Sequence, residues 1–187
     1  MRKELDELLC KKYPEIFKDR HGDKMETLMC WGFDIGDGWF HIIDTLCGQI
    51  QGHIDHHIDS MNRDMKHNAL LKEYLEGNQE PLREHYYDMF NSKEYADDCL
   101  QRSVDRGYRE IKEVYQVVAV QVKEKFGGLR FYYNGGSEYV DGLVAMAEAI
   151  SYVTCERCGK VGKPNEKGWI VTLCDDCRSY DVKENDK

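Results

Sequence analysis

The chain has 187 residues, of which 41% are hydrophobic, 11% aromatic and 33% charged, enough for a packed core in one domain or one domain plus an appendage. Its formal net charge of −9 opposes duplex nucleic acid and anionic membranes, so no long nucleic acid is expected as a partner. A small anion needs only a few local cations and stays open.

No apolar run approaches the length of a membrane span, so no membrane partner is expected. Met1-Arg2-Lys3-Glu4 leads into an amphipathic helix rather than a secretory leader. Cys10, Cys30, Cys47 and Cys99 are scattered and read as reduced thiols, which predicts a cytoplasmic location.

Residues 3–12 place Leu5, Leu8 and Leu9 on one helical face, and Tyr13-Pro14 ends that helix. The stretch MCWGFDIGDGWF, residues 29–40, sets Trp31, Phe33, Trp39 and Phe40 among glycines and aspartates. Asp37 is a candidate cap for the helix that follows. The two tryptophans read either as a pocket wall for a flat ligand or as core anchors under a loop. From Trp39 a long helix is predicted to about Asn68, with Ile43, Leu46, Cys47, Ile50, Ile54, Ile58, Met61 and Met65 at spacings of three and four. His53, His56 and His57 lie within it near Asp55 and Asp59. They read as a polar helix face rather than a metal site, since no HExxH signature or third ligand accompanies them.

A second helical block is predicted over roughly 82–114, broken near Asn91-Ser92 and Gly107. It and the following residue offer Tyr86, Tyr87, Met89, Phe90, Tyr95, Leu100, Tyr108, Ile111 and Tyr115 as core residues. Residues 117–136 then read as a β-hairpin turning at Phe126-Gly127-Gly128, with positive φ expected at the paired glycines. Strict alternation puts Val118, Val120, Val122, Leu129, Phe131 and Tyr133 on the core face. Lys123, Lys125, Arg130 and Tyr132 fall on the other, a cationic and aromatic face in an acidic chain. That face is either a solvated sheet surface or an anion-binding one, with Arg130 for phosphate, Tyr132 for stacking and the glycines admitting a ligand to the backbone. Ser137 is the candidate N-cap of a helix over 138–153, its face formed by Val140, Leu143, Val144, Ala147 and Ile150.

Cys155-Glu156-Arg157-Cys158 and Cys174-Asp175-Asp176-Cys177 stand 15 residues apart. Two CxxC pairs at this separation place four thiolates around one ion, which predicts a structural Zn2+ held by Cys155, Cys158, Cys174 and Cys177. Gly168 to Leu173 reads as a strand between the pairs. Basic and acidic residues balance from 155 to 187, so the unit carries no electrostatic footprint for nucleic acid.

The fold class that follows is α+β, long helices on a small antiparallel sheet. An α+β domain is expected over 1–154, a docked zinc-ribbon-like unit over 155–178 and a flexible tail over 179–187.

WGFDIGDGWF, VKEKFGGLRFYYNGG, CERCG and GWIVTLCDDC together resemble a family of small proteins of bacteriophages and prophages. The resemblance covers most of the chain and is weakest across roughly 60–110. It brings no established activity. It implies the host cytoplasm and a role in host takeover or evasion of host defence, where small binders sequester nucleotide immune signals.

The first function expected is therefore a non-enzymatic binder of a small anionic, nucleotide-like ligand. Lys123, Lys125 and Arg130 would meet phosphates, Tyr132 with Trp31 or Trp39 would stack a base, and a second subunit would complete the site. The alternative is a protein-interaction module, an inhibitor or adaptor of a host protein. A hydrolase using Asp34, Asp37 and His41, or His53 and His57, ranks last, because no nucleophile–base motif or P-loop is present.

Overall fold

The computed structural model describes residues 1–185, and the side chains of residues 1–180. The chain divides into two compact units, Met1–Ile54 with Tyr115–Lys187, and Asp55–Val114. One boundary falls inside the continuous helix Phe40–Leu75, where no loop marks it in the sequence, and the other lies in irregular backbone after residue 107. Helices, a three-stranded sheet and a two-stranded sheet give the α+β class.

The first unit begins with helix α1, Lys3–Lys12. Leu9 is fully buried, while Leu8, expected beside it, faces solvent. The inner face of α1 holds Asp6 instead, which accepts from Nε and Nη2 of Arg20 at 2.9 Å each. Nη1 of Arg20 donates to the Cys30 carbonyl at 3.0 Å. This bidentate pair ties α1 to the loop before strand β1, Phe33–Asp34. β1 runs parallel to β2, Val118–Lys125, and β2 pairs antiparallel with β3, Gly128–Asn134, in the order β1-β2-β3.

The hairpin forms where its alternation predicts, with two differences. A bulge lies between Ala119 and Gln121. It inverts the parity of β2, so fully buried Ala119 shares the face of Val122 and Phe131, and Val120 is only half-buried. The turn residues with positive φ are Phe126 (54°) and Gly127 (75°), not the two glycines.

β3 would leave a free edge, but helix α5, Glu138–Ser151, covers it. Leu129 N–H donates to Ser151 Oγ at 2.8 Å and Phe131 N–H to Glu148 Oε1 at 3.1 Å. Ser137 holds the N-cap position of α5 without a side-chain cap bond. Phe17 packs edge-on against Phe33 and Phe131 on the inner sheet face. Helix α2, Phe40–Leu75, buries Ile43, Leu46, Cys47, Ile50 and Ile54 in this unit.

In the second unit the buried side of α2 passes to His67 and Leu71, and Met65, expected in the core, is exposed. The stripe drifts because 3.6 residues per turn do not hold one face over 36 residues. Helices α3, Glu80–Met89, and α4, Lys93–Arg106, enclose Leu71, Leu82, Tyr86, Ala96 and Leu100. Pro81 sits in the first turn of α3, where no N–H is needed, so the helix begins slightly ahead of the block predicted from about residue 82. Ser92 caps α4, accepting from Tyr95 N–H at 3.3 Å. Gly107, at φ 75°, ends it. Tyr108, Ile111 and Tyr115 lie beyond in irregular backbone and are exposed, not core.

The C-terminal segment carries strands β4, Lys163–Pro164, and β5, Thr172–Leu173, then helix α6, Asp175–Asn185. The strand expected over 168–173 is thus confined to its last two residues. The segment read as a flexible tail, 179–187, is helical through Asn185, and residues 186–187 lie outside the described residues. Among the described residues no helix is long and apolar enough to cross a membrane.

Candidate metal centre and ligand cavity

Two tight turns bring the cysteines together. In the first, Gly159 N–H donates to the Cys155 carbonyl at 2.8 Å and Cys155 N–H to the Lys160 carbonyl at 2.7 Å. The second is the opening turn of α6, where Arg178 N–H donates to the Cys174 carbonyl at 3.0 Å. The Sγ atoms of Cys155, Cys158, Cys174 and Cys177 all lie within 4.8 Å of one another, and those of Cys158 and Cys174 are 3.6 Å apart. A tetrahedron of sulfurs about 2.3 Å from one ion has edges of about 3.8 Å, so the cluster fits a metal ion. All four are free thiols, with no disulfide to close them off.

Burial pushes the Cys155 thiol up, but backbone hydrogen bonds from the Cys174, Cys158 and Arg157 positions bring it down to about 7. Burial and the neighbouring thiols push Cys177 up to about 12. Metal binding by such thiols is coupled to the release of their protons.

The glycines of both distinctive motifs close on this centre. Gly38 N–H donates to the Glu156 carbonyl at 2.7 Å, Gly36 N–H to Glu156 Oε1 at 2.9 Å, and the Trp39 indole to the Thr154 carbonyl at 2.8 Å. A Cβ at Gly38 would stand 2.2 Å from the Cys155 carbonyl oxygen. From the hairpin, the Gly127 carbonyl accepts from Thr172 Oγ1 at 2.6 Å. A Cβ at Gly128 would stand 2.3 Å from the Tyr152 ring. The hairpin glycines therefore make room for Tyr152 and for the segment between the two cysteine pairs. Asp37, a candidate cap, lies in a short turn ahead of α2 and accepts from Arg2 N–H at 2.7 Å.

The hairpin face brings together three of the six residues expected to bind a ligand. Lys123 stands opposite Arg130, and its ammonium lies 5.5 Å from the Tyr132 ring centroid. Asp34 is the neighbour of Lys123 on the other side. Arg130 is engaged by the fold: Nη2 donates to Tyr152 Oη at 2.7 Å, Nη1 to the Leu129 carbonyl at 2.6 Å, and Glu148 lies at 3.7 Å. Lys125 sits at the turn, 5.4 Å from the Phe126 ring centroid. Trp31 is exposed in a separate short turn, and Trp39 is fully buried, which leaves it no face to stack a base. His53 stacks on Tyr139 with centroids 4.3 Å apart, and His56 meets His57 edge-on.

A cavity that the sequence did not point to lies within the second unit. About 640 Å³ in volume, it is walled by Tyr86, Met89, Phe90 and Tyr108 and lined by Arg102, Arg106 and Arg109. Asp64 and Glu110 also line it, as do His67 and Ser103, both buried, with Ser103 Oγ 3.0 Å from His67 Nε2. His67 Nδ1 is buried with no hydrogen-bond partner. Burial, then Arg109 and His85, lowers the pKa of His67, which disfavours the charged ring. Arg109 pairs with Asp64 at 3.0 Å and Arg102 with Asp98 at 2.5 Å, whereas Arg106 makes no ion pair among the described residues. Asn68 fixes the lining segment by exchanging two 2.8 Å bonds with the backbone of Arg109.

The one trace of this site in the sequence is the spacing of Arg102, Arg106 and Arg109 by four and three. No protein-family model, curated protein or solved structure matches the chain.

Proposed function

We propose that the chain is a non-enzymatic binder of a small anionic, ring-bearing ligand of the nucleotide class, seated in the cavity of the second unit. The observation that carries this reading is one concave space combining aromatic walls, three arginines and a buried polar pair. Guanidinium groups suit phosphate or carboxylate, and Phe90 and Tyr108 suit a flat ring. Ser103 beside His67 has the form of a nucleophile–base pair. With Nδ1 unpartnered, however, no carboxylate orients the imidazole, which favours binding over turnover. The ion in the cysteine cluster is zinc, structural because four thiolates leave no open position. Under the phage resemblance, binding without turnover suits sequestration of a host signal in the host cytoplasm.

Isothermal titration calorimetry with cyclic and linear nucleotides tests the reading. Arg106→Ala is expected to weaken binding about tenfold, equivalent to about 1.4 kcal/mol, while Arg130→Ala leaves it unchanged. The ligand should be recovered intact by mass spectrometry. Absence of heat with every nucleotide rejects the reading, and the reverse ranking of the two arginines moves the ligand to the hairpin.

A second reading, a protein-interaction module, is favoured by exposed Phe126 and Trp169. They flank the place where a Cβ at Gly127 would stand 2.9 Å from Ile170. Capture of a stoichiometric host protein that is lost with Trp169→Ser would support it.

A further inference from the structure

One wall of the cavity in the second unit hangs from a single residue. Gly107, Tyr108, Arg109 and Glu110 line it, just where α4 ends. Across residues 108–112 no backbone group bonds to another backbone group among the described residues. The segment is held through Arg109 instead. Its N–H donates to Asn68 Oδ1 and its carbonyl accepts from Asn68 Nδ2, both at 2.8 Å. Its guanidinium donates to Asp64 Oδ1 at 3.0 Å. Asp64 and Asn68 are four residues apart on α2, so all three bonds reach one face of one helix. Tyr108 and Ile111 beside Arg109 are 58% and 39% exposed, so packing adds little. Segments with few hydrogen bonds and few buried contacts are the first to open locally.

Gly107 supplies a pivot. It sits at φ 75°, in the left-handed region, and a Cβ there would meet nothing within 4 Å. Glycine takes new backbone angles at little steric cost, and nothing crowds this one. His67 and Ser103 line the same cavity and are buried. With the segment in place, Nδ1 of His67 has no hydrogen-bond partner. A closed form that strands a buried nitrogen is weakened by it, and an opening that lets water reach Nδ1 regains a bond.

We propose that residues 107–112 are a gate to the cavity, hinged at Gly107 and latched where Asn68 and Asp64 hold Arg109. The gate opens while α3 and α4 stay folded. Its role rests on the reading of the cavity as a binding site: it sets how fast a ligand enters and leaves.

The full, metal-loaded chain carrying Ser103→Cys tests this without any nucleotide, so a missing gate and a missing ligand are told apart. The new thiol, buried beside His67, should react with a maleimide through the open gate, read at position 103 by peptide mass spectrometry. Adding Asn68→Ala should raise that rate about tenfold, because the latch loses both backbone bonds. Hydrogen exchange of the α3 and α4 amides should not change. Labelling only through global unfolding, set by the most protected of those amides, overturns the proposal. So does a rate that Asn68→Ala leaves unaltered, or a rise accompanied by lost protection in α3 and α4. A second measurement needs no substitution at Ser103. In the unaltered chain the Arg109 amide should exchange well ahead of the α3 and α4 amides, and exchange in step with them overturns the proposal too.

Discussion

His67 satisfies one ring nitrogen and strands the other, and this makes the second unit sensitive to acid. Nε2 meets Ser103 Oγ, while Nδ1 is buried without a partner. Burial and the nearby Arg109 and His85 lower its pKa, with Asp64 opposing them. In the unfolded chain the group titrates near about 6.5. Below that value the unfolded state binds more protons than the folded state, so stability rises with pH. The contribution is complete above about 6.5 and is lost as pH falls towards the folded value. Urea unfolding between about pH 5.5 and 7.5 should show that rise, at no more than about 1.4 kcal/mol per pH unit for one group. His67→Asn should reduce it, leaving the part due to His85, whose pKa burial also lowers. An unchanged slope in the variant would remove His67 as the source.

Among the elements, glycines separate positions that the chain needs empty from positions that merely tolerate it. Gly38 lies against the backbone of the first cysteine turn, and neither carbonyl nor amide there can move aside without shifting Cys155 and Cys158. Gly38→Ala should therefore cost about 1–3 kcal/mol, read as a lower midpoint of thermal unfolding. Gly52 lies within α2 with nothing within 4 Å of a Cβ, so Gly52→Ala should stabilise by about 0.5–1 kcal/mol. Equal effects of the two substitutions would contradict this account. The same elements show what was legible beforehand. The hairpin and the cysteine cluster were, because a period of two and a CxxC spacing are local signals. The bulge at Val120 was not, since nothing in VVAVQV distinguishes one valine from the next. Gly36 and Gly38 suggested a ligand-lining loop because the surface they receive, Cys155 to Gly159, lies more than a hundred residues away in sequence.

For the whole molecule, the two units should respond separately to loss of the metal. The arginine-lined cavity belongs wholly to the second unit and was illegible for a topological reason. His67, Ser103 and Arg109 come from a helix, another helix and an irregular segment, and no short motif holds them together. The metal centre belongs to the first unit. Its own core is little more than Cys155, Leu173 and Cys174 with Val171 and Cys177, so an ion held by the four thiols would supply much of its stability. The bonds from Gly36, Gly38 and the Trp39 indole depend on the first cysteine turn being in place. A chelator should therefore release amide protection at Gly36, Gly38, Gly159 and Gly162 and expose four reactive thiols. Leu71, Leu82, Tyr86, Ala96 and Leu100 form a core without any of these residues. Amides of α3 and α4 should accordingly keep their protection when hydrogen exchange is followed by mass spectrometry with and without chelator. Simultaneous loss in α3 and α4 would mean that the chain unfolds as one cooperative block. Unchanged exchange around Gly38 would mean that the cysteine turns hold their shape without an ion.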